Sequence, residues 1–260
     1  MACLLPMGIH AEPPWSGFEV LGRIANVGFA CLYAAFVLLW HRNTAVRTFR
    51  HAVPVDMALA FCATTNPCCL AMLPAAAWPW ISRLPQPRRA ATGSLLSLCL
   101  LAAGCLAVAG MPRPRPPQSA PSPAVGFDAA VEMGLARGLL FPVAWPWYGR
   151  LSTRVTLVAA ACLSTALVAG ARRRHRPVMV AGLGVVGLVS AAIVCRRGEL
   201  AQWVNNYACT FPDRYYLGQN LVAMLLAVVL AADVAARLRR RPRLARLPLA
   251  ILLCLTVAAA

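Results

Sequence analysis

Residues 172–195 read RRRHRPVMVAGLGVVGLVSAAIVC. Four arginines and His175 crowd the start of this stretch, and from Val178 to Cys195 no charged residue interrupts it. A helix that crosses a bilayer needs about 20 mostly apolar residues, and basic residues at its end mark the cytoplasmic side. The stretch therefore specifies a membrane-spanning helix together with its direction.

The same punctuation recurs along the chain. An apolar run over 154–170 leads into the Arg172 cluster, and another over 216–235 leads into Arg237-Leu238-Arg239-Arg240-Arg241-Pro242-Arg243. Further runs occupy 24–40, 93–111 and 247–260. Hydrophobic residues make up 60% of the 260 and charged ones 13%, with a mean hydropathy of +0.65, which excludes an ordinary soluble domain. The expected fold is all-α: a single polytopic helical membrane domain over 1–260, with about six full transmembrane spans plus one re-entrant helical hairpin.

A net charge of +17 would suggest nucleic acid in a soluble protein. Here the charges flank spans as short clusters, so the partner they imply is the anionic head groups of a lipid bilayer, and no nucleic acid is expected. All 25 Lys+Arg positions are arginine. With alanine and proline also abundant, this reflects a GC-rich genome more than a chemical choice. Most of the 11 cysteines, among them Cys31, Cys62, Cys69, Cys105 and Cys162, sit inside apolar runs and act as small hydrophobes. No CxxC pair occurs, and no metal, disulfide or cofactor is expected. The first residues lack the basic region of a cleaved signal peptide.

The arginine clusters fix a topology. If those at Arg42–Arg50, Arg172–Arg176 and Arg237–Arg243 are cytoplasmic, the N-terminal segment 1–23 and the two long polar segments 112–152 and 196–214 lie outside. The location expected is a bacterial inner membrane, with the N-terminus outside. The apolar segment 53–81 then begins and ends on one side and is too short for two spans. Thr64-Thr65-Asn66-Pro67 interrupts it, which predicts a hairpin with Asn66 and Pro67 as its structural hinge, buried so that its freed backbone groups find partners. The alternative is a single span with Arg83–Arg89 outside.

Within 112–152, a Pro-rich connector precedes Phe127–Leu140, where Asp128, Glu132 and Arg137 interleave with apolar positions. That pattern suggests a short helix at the membrane interface. Asp56 is expected to reach the cytoplasmic face, Asp233 to pair with Arg237 one turn on, and Gly182, Gly184 and Gly187 to form a close-packing helix face. The richest polar segment runs from Arg196 and Arg197 through Asn205 and Asn206 to Asp213, Arg214, Tyr215 and Tyr216. Guanidiniums suit phosphate, and aromatics with amides suit sugar rings, so these eight residues are the candidate substrate-binding set. An aromatic belt with a few salt bridges explains the same residues. No catalytic residue is identified.

The Thr-Asn-Pro break followed by Leu73-Pro74, together with Asp213-Arg214-Tyr215-Tyr216 opening a later span, resembles the membrane portion of bacterial glycosyltransferase-C-like proteins. The resemblance covers roughly 53–260. It implies a polyprenyl-phosphate-linked sugar as ligand, handled at the outer face. The chain departs from that family in its short length and in stopping within an apolar run at Ala260, which implies a reduced or truncated member. Two other readings stand beside it: a transporter or lipid-translocating protein built around the Asn66-Pro67 hairpin, and a non-catalytic membrane subunit of a larger assembly.

Overall fold

A computed structural model describes residues 27–45, 48–76, 125–142, 152–196, 198–203 and 213–238. They fall into two compact units, one drawn from residues 27–76 and the other from residues 125–238. The described elements are helical, with no strand among them. The expected spans at 93–111 and 247–260, the N-terminal segment 1–23 and the Pro-rich connector lie outside the described residues, as does the end of the hairpin at 77–81.

The N-terminal unit pairs helix α1 (Val27–Thr44) with helix α2 (Phe49–Thr65). Cys31, Leu32, Ala35, Phe36 and Leu39 of α1 are buried, at the spacing that keeps one helix face inward. Ala52, Leu59, Cys62 and Ala63 are their buried counterparts on α2. Asp56 does not simply reach for an aqueous face. Arg42 Nε and Nη2 donate to its two carboxylate oxygens at 3.0 and 3.3 Å, and the Arg42 side chain is only 1% exposed.

α2 stops at Asn66 because the residue before a proline disfavours the helical conformation. Asn66 is extended, with φ −135° and ψ 107°, and its side-chain oxygen accepts from the Cys68 N–H at 2.9 Å, capping a 3-10 helix over Pro67–Met72. The hydroxyls of Thr64 and Thr65 both donate to the Phe61 carbonyl at 2.8 Å, supplying partners where the helical ladder ends. The chain then doubles back. Cys69 Sγ lies 3.6 Å from the Cys62 carbonyl, and the Ala75 carbonyl accepts from Asn43 Nδ2 at 3.3 Å. Asp56 and Ala75, on opposite arms of the turn, thus meet neighbouring residues at one end of α1. The helix begins at Phe49, four residues before the expected 53.

The C-terminal unit holds α3 (Phe127–Val131), a π-helix continuing it over Glu132–Leu140, α4 (Thr153–Gly170), α5 (Arg176–Arg196), a 3-10 helix (Gly198–Trp203) and α6 (Asp213–Arg237). Ser152 caps α4 by accepting from Val155 N–H at 3.5 Å. Pro177 sits in the first turn of α5, where its missing N–H breaks no helical bond. Thr153–Gly170, Arg176–Cys195 and Tyr215–Arg237 are long and apolar enough to cross a membrane, and they coincide with three of the expected spans. Val158, Val180 and Leu188 are exposed on them, as a lipid-facing surface requires.

α6 packs against both α4 and α5. A methyl on Gly170 of α4 would meet Leu230 Cδ1 at 2.8 Å, and one on Gly182 of α5 would meet both Leu226 methyls at 2.8 Å. Gly184 and Gly187 face open space. They do not share the packing face with Gly182, because two and five residues along an α-helix turn the direction by about 200° and about 140°. Asp233 also differs from expectation. It accepts from the Arg172 N–H at 2.8 Å, lies 2.9 Å from His175 Nδ1 and 3.7 Å from Arg172 Nε, while Arg237 is exposed. The buried carboxylate turns toward the α4–α5 corner, where a backbone N–H, an imidazole and a guanidinium converge, and away from its own next turn.

Candidate functional site

The segment expected to lie at the membrane interface is a helix enclosed by three others. Glu132, Met133, Ala136, Arg137, Gly138, Leu139 and Leu140 are all buried, and the π-helix packs on α4, α5 and α6. In an α-helix, residues five apart point about 140° away from each other. The i→i+5 ladder of a π-helix brings Glu132 and Arg137 onto nearly one face. Sequence spacing read at 3.6 residues per turn places them apart.

A π-helix needs support, since its ladder leaves carbonyls to be satisfied from outside. Asn220 of α6 supplies it. With its amide nitrogen turned toward the π-helix, Asn220 donates to the carbonyls of Arg137 at 2.7 Å and Gly138 at 3.2 Å. Gly138 is where the elements meet most closely. A methyl there would collide with Ser190 Oγ of α5 and lie 3.8 Å from Tyr216 Cδ1 of α6. Only glycine lets α5 and α6 close on the π-helix at this point.

Around this junction lies a polar layer. Thr156, Ser190, Tyr216, Gln219, Asn220, Glu132 and Arg137 are buried. Thr156 lies three residues after the start of α4, Gln219 six after the start of α6, and Ser190 six before the end of α5. At about 1.5 Å per residue, all three lie within about 10 Å of the same end of the bundle. Among the described residues, Thr156 Oγ1, Ser190 Oγ and both amide atoms of Gln219 have no hydrogen-bond partner. Each such atom costs about 1–3 kcal/mol, a burden that calls for an explanation in a native core.

Of the predicted binding residues, Tyr216 alone reaches this layer with a described side chain, 1% exposed. Tyr215 is half-buried beside it. Arg196 ends α5, and Asp213 and Arg214 open α6, at the same end of the bundle. Arg197, Asn205 and Asn206 lie outside the described residues. In the N-terminal unit, Asn66 ends α2 and Pro67 opens the 3-10 helix. Sequence reading missed Gln219 and Asn220, although Tyr216, Gln219 and Asn220 recur at i, i+3 and i+4. That polar stripe was visible on a span when amides are weighed alongside ionisable groups. Among the described residues, no group of three or more His, Cys, Asp or Glu is placed to hold a metal ion. No known protein family, curated protein or solved structure matches this chain.

Proposed function

We propose that this chain is a multi-pass inner-membrane protein that binds a phosphate-bearing lipid headgroup in the polar layer of its C-terminal unit. Its specific form is a glycosyltransferase-C-like protein handling a polyprenyl-phosphate-linked sugar at the outer face. The proposal keeps about six full spans, the N-terminus outside, and residues 53–81 as a re-entrant hairpin. The doubling-back of the chain at Asn66, which returns Ala75 to Asn43, supports that hairpin.

The observation that carries the reading is a buried guanidinium. Arg137 is 1% exposed in a unit whose three long helices suit a bilayer. Ionisable groups at membrane depth are costly and mark ligand or ion sites, and a guanidinium offers phosphate two parallel donors. π-helical segments recur at functional sites. Tyr216 links the layer to the outer segment that holds Arg196 and Arg214.

The test is binding of a polyprenyl phosphate to the full chain in nanodiscs, followed by native mass spectrometry. Arg137→Met is expected to abolish the bound species while the protein remains inserted and monodisperse. Arg173→Met, on the opposite corner, is expected to keep it. Retention of polyprenyl phosphate by Arg137→Met would sink the role. A transport reading is favoured by one feature, the helix broken at Asn66, since discontinuous helices often line translocation sites. Lipid flux across reconstituted vesicles that requires Asn66 would select it.

A further inference from the structure

We infer that Thr156, Ser190 and Gln219 form a subsite for an uncharged, hydroxyl-bearing group such as the hydroxyls of a sugar or polyol headgroup. The inference rests on the polar layer being a headgroup site, but not on phosphate being the part bound at Arg137. Three different helices each contribute one buried side chain to this layer, with exposures of 0% for Thr156, 3% for Ser190 and 0% for Gln219. All four of their side-chain polar atoms lack partners among the described residues.

Hydrogen-bonding character fixes the ligand class. Each hydroxyl can donate and accept, and the Gln219 amide presents donors on nitrogen and an acceptor on oxygen. None of the three carries a formal charge. An anion would leave the Gln219 oxygen facing an acceptor, and a cation would leave its nitrogen facing a donor. A ligand whose own groups both donate and accept satisfies all four atoms, and hydroxyls do so at the density a sugar offers. Sites built on such groups reject analogues that lack the matching hydroxyls, because the protein atoms are then left unpaired.

The test uses the full chain in nanodiscs with two soluble probes, octyl glucoside below its micelle concentration and octyl phosphate. Binding and thermal midpoint are measured for the parent, Gln219→Leu, Thr156→Val and Ser190→Ala. Without probe, the variants are expected to melt at or above the parent midpoint, because each removes unpartnered atoms from the interior. Octyl glucoside affinity is expected to fall at least about tenfold in Gln219→Leu, the loss of one well-placed hydrogen-bonding group, with octyl phosphate affinity unchanged.

Failure of octyl glucoside to bind the parent, or equal binding to Gln219→Leu, would overturn the inference. So would a lower midpoint in all three variants without probe, which would give these atoms a structural role with buried water. Octyl phosphate that fails to bind the parent, alongside glucoside binding that requires Gln219, would remove the phosphate part of the proposed function and leave this subsite standing.

Discussion

Replacing Gly138 by alanine has opposite consequences in two backgrounds. In the parent, the new methyl falls inside the van der Waals envelope of Ser190 Oγ and 3.4 Å from Ser190 Cβ. Overpacking of this kind costs about 1–3 kcal/mol. Alanine recovers up to about 1 kcal/mol over glycine in a helix interior, leaving a net loss of up to about 2 kcal/mol. In Ser190→Ala the oxygen is gone, and the remaining contacts are Ser190 Cβ at 3.4 Å and Tyr216 Cδ1 at 3.8 Å, which small shifts accommodate. The helix term then dominates, and the same substitution is expected to be neutral or to stabilise by about 0.5–1 kcal/mol. The coupling between the two positions is therefore about 1–3 kcal/mol. Unfolding in detergent micelles with increasing SDS, followed by far-UV circular dichroism, measures all four corners of the cycle. Equal effects of Gly138→Ala in both backgrounds would refute the close approach of the π-helix to α5.

Asp56→Ala breaks the buried pair with Arg42; such breaks cost about 3–5 kcal/mol, and 15% exposure of the Asp56 side chain puts this one at the low end. Arg42→Met with Asp56→Leu is expected to restore most of the loss, read as the temperature at which buried Cys62 and Cys69 react with a thiol dye. Asp233→Ala is expected to cost about 2–3 kcal/mol, since it removes a charged acceptor, whereas Arg237→Ala stays within about 0.5 kcal/mol. Comparable losses in the SDS titration would return Asp233 to an i, i+4 pair. Gly184→Ala and Gly187→Ala are expected to raise stability by up to about 1 kcal/mol, and Gly182→Ala to lose that gain against Leu226; the rank order of midpoints decides.

The runs that became α4, α5 and α6 were legible because length, apolarity and flanking arginines all point the same way at 154–235. The break at Asn66 was legible for a local reason, the constraint a proline places on its predecessor. The polar layer was not. Its π-helix follows no period that sequence reading assumes, and Asn220, which supports it, lies more than 80 residues away in the chain. Asp233 misled for the same reason: the nearest arginine in sequence is Arg237, while the N–H and imidazole it holds come from Arg172 and His175 across the fold. Charge spacing predicts pairs within a helix and is blind to those between helices.

The Asp233 tie and the polar layer stand at opposite ends of the same three helices. At the corner between α4 and α5, one carboxylate holds a backbone N–H, an imidazole and a guanidinium. At the far end, the side-chain polar atoms of Thr156, Ser190 and Gln219 have no partner among the described residues. Parting the helices at the corner forfeits the bonds around Asp233; parting them at the layer forfeits the Asn220 bonds to the Arg137 and Gly138 carbonyls but exposes four atoms that have no partner among the described residues. A polar guest could offset the cost of opening at the layer by pairing with those atoms, and it has no such atoms to pair with at the Asp233 corner.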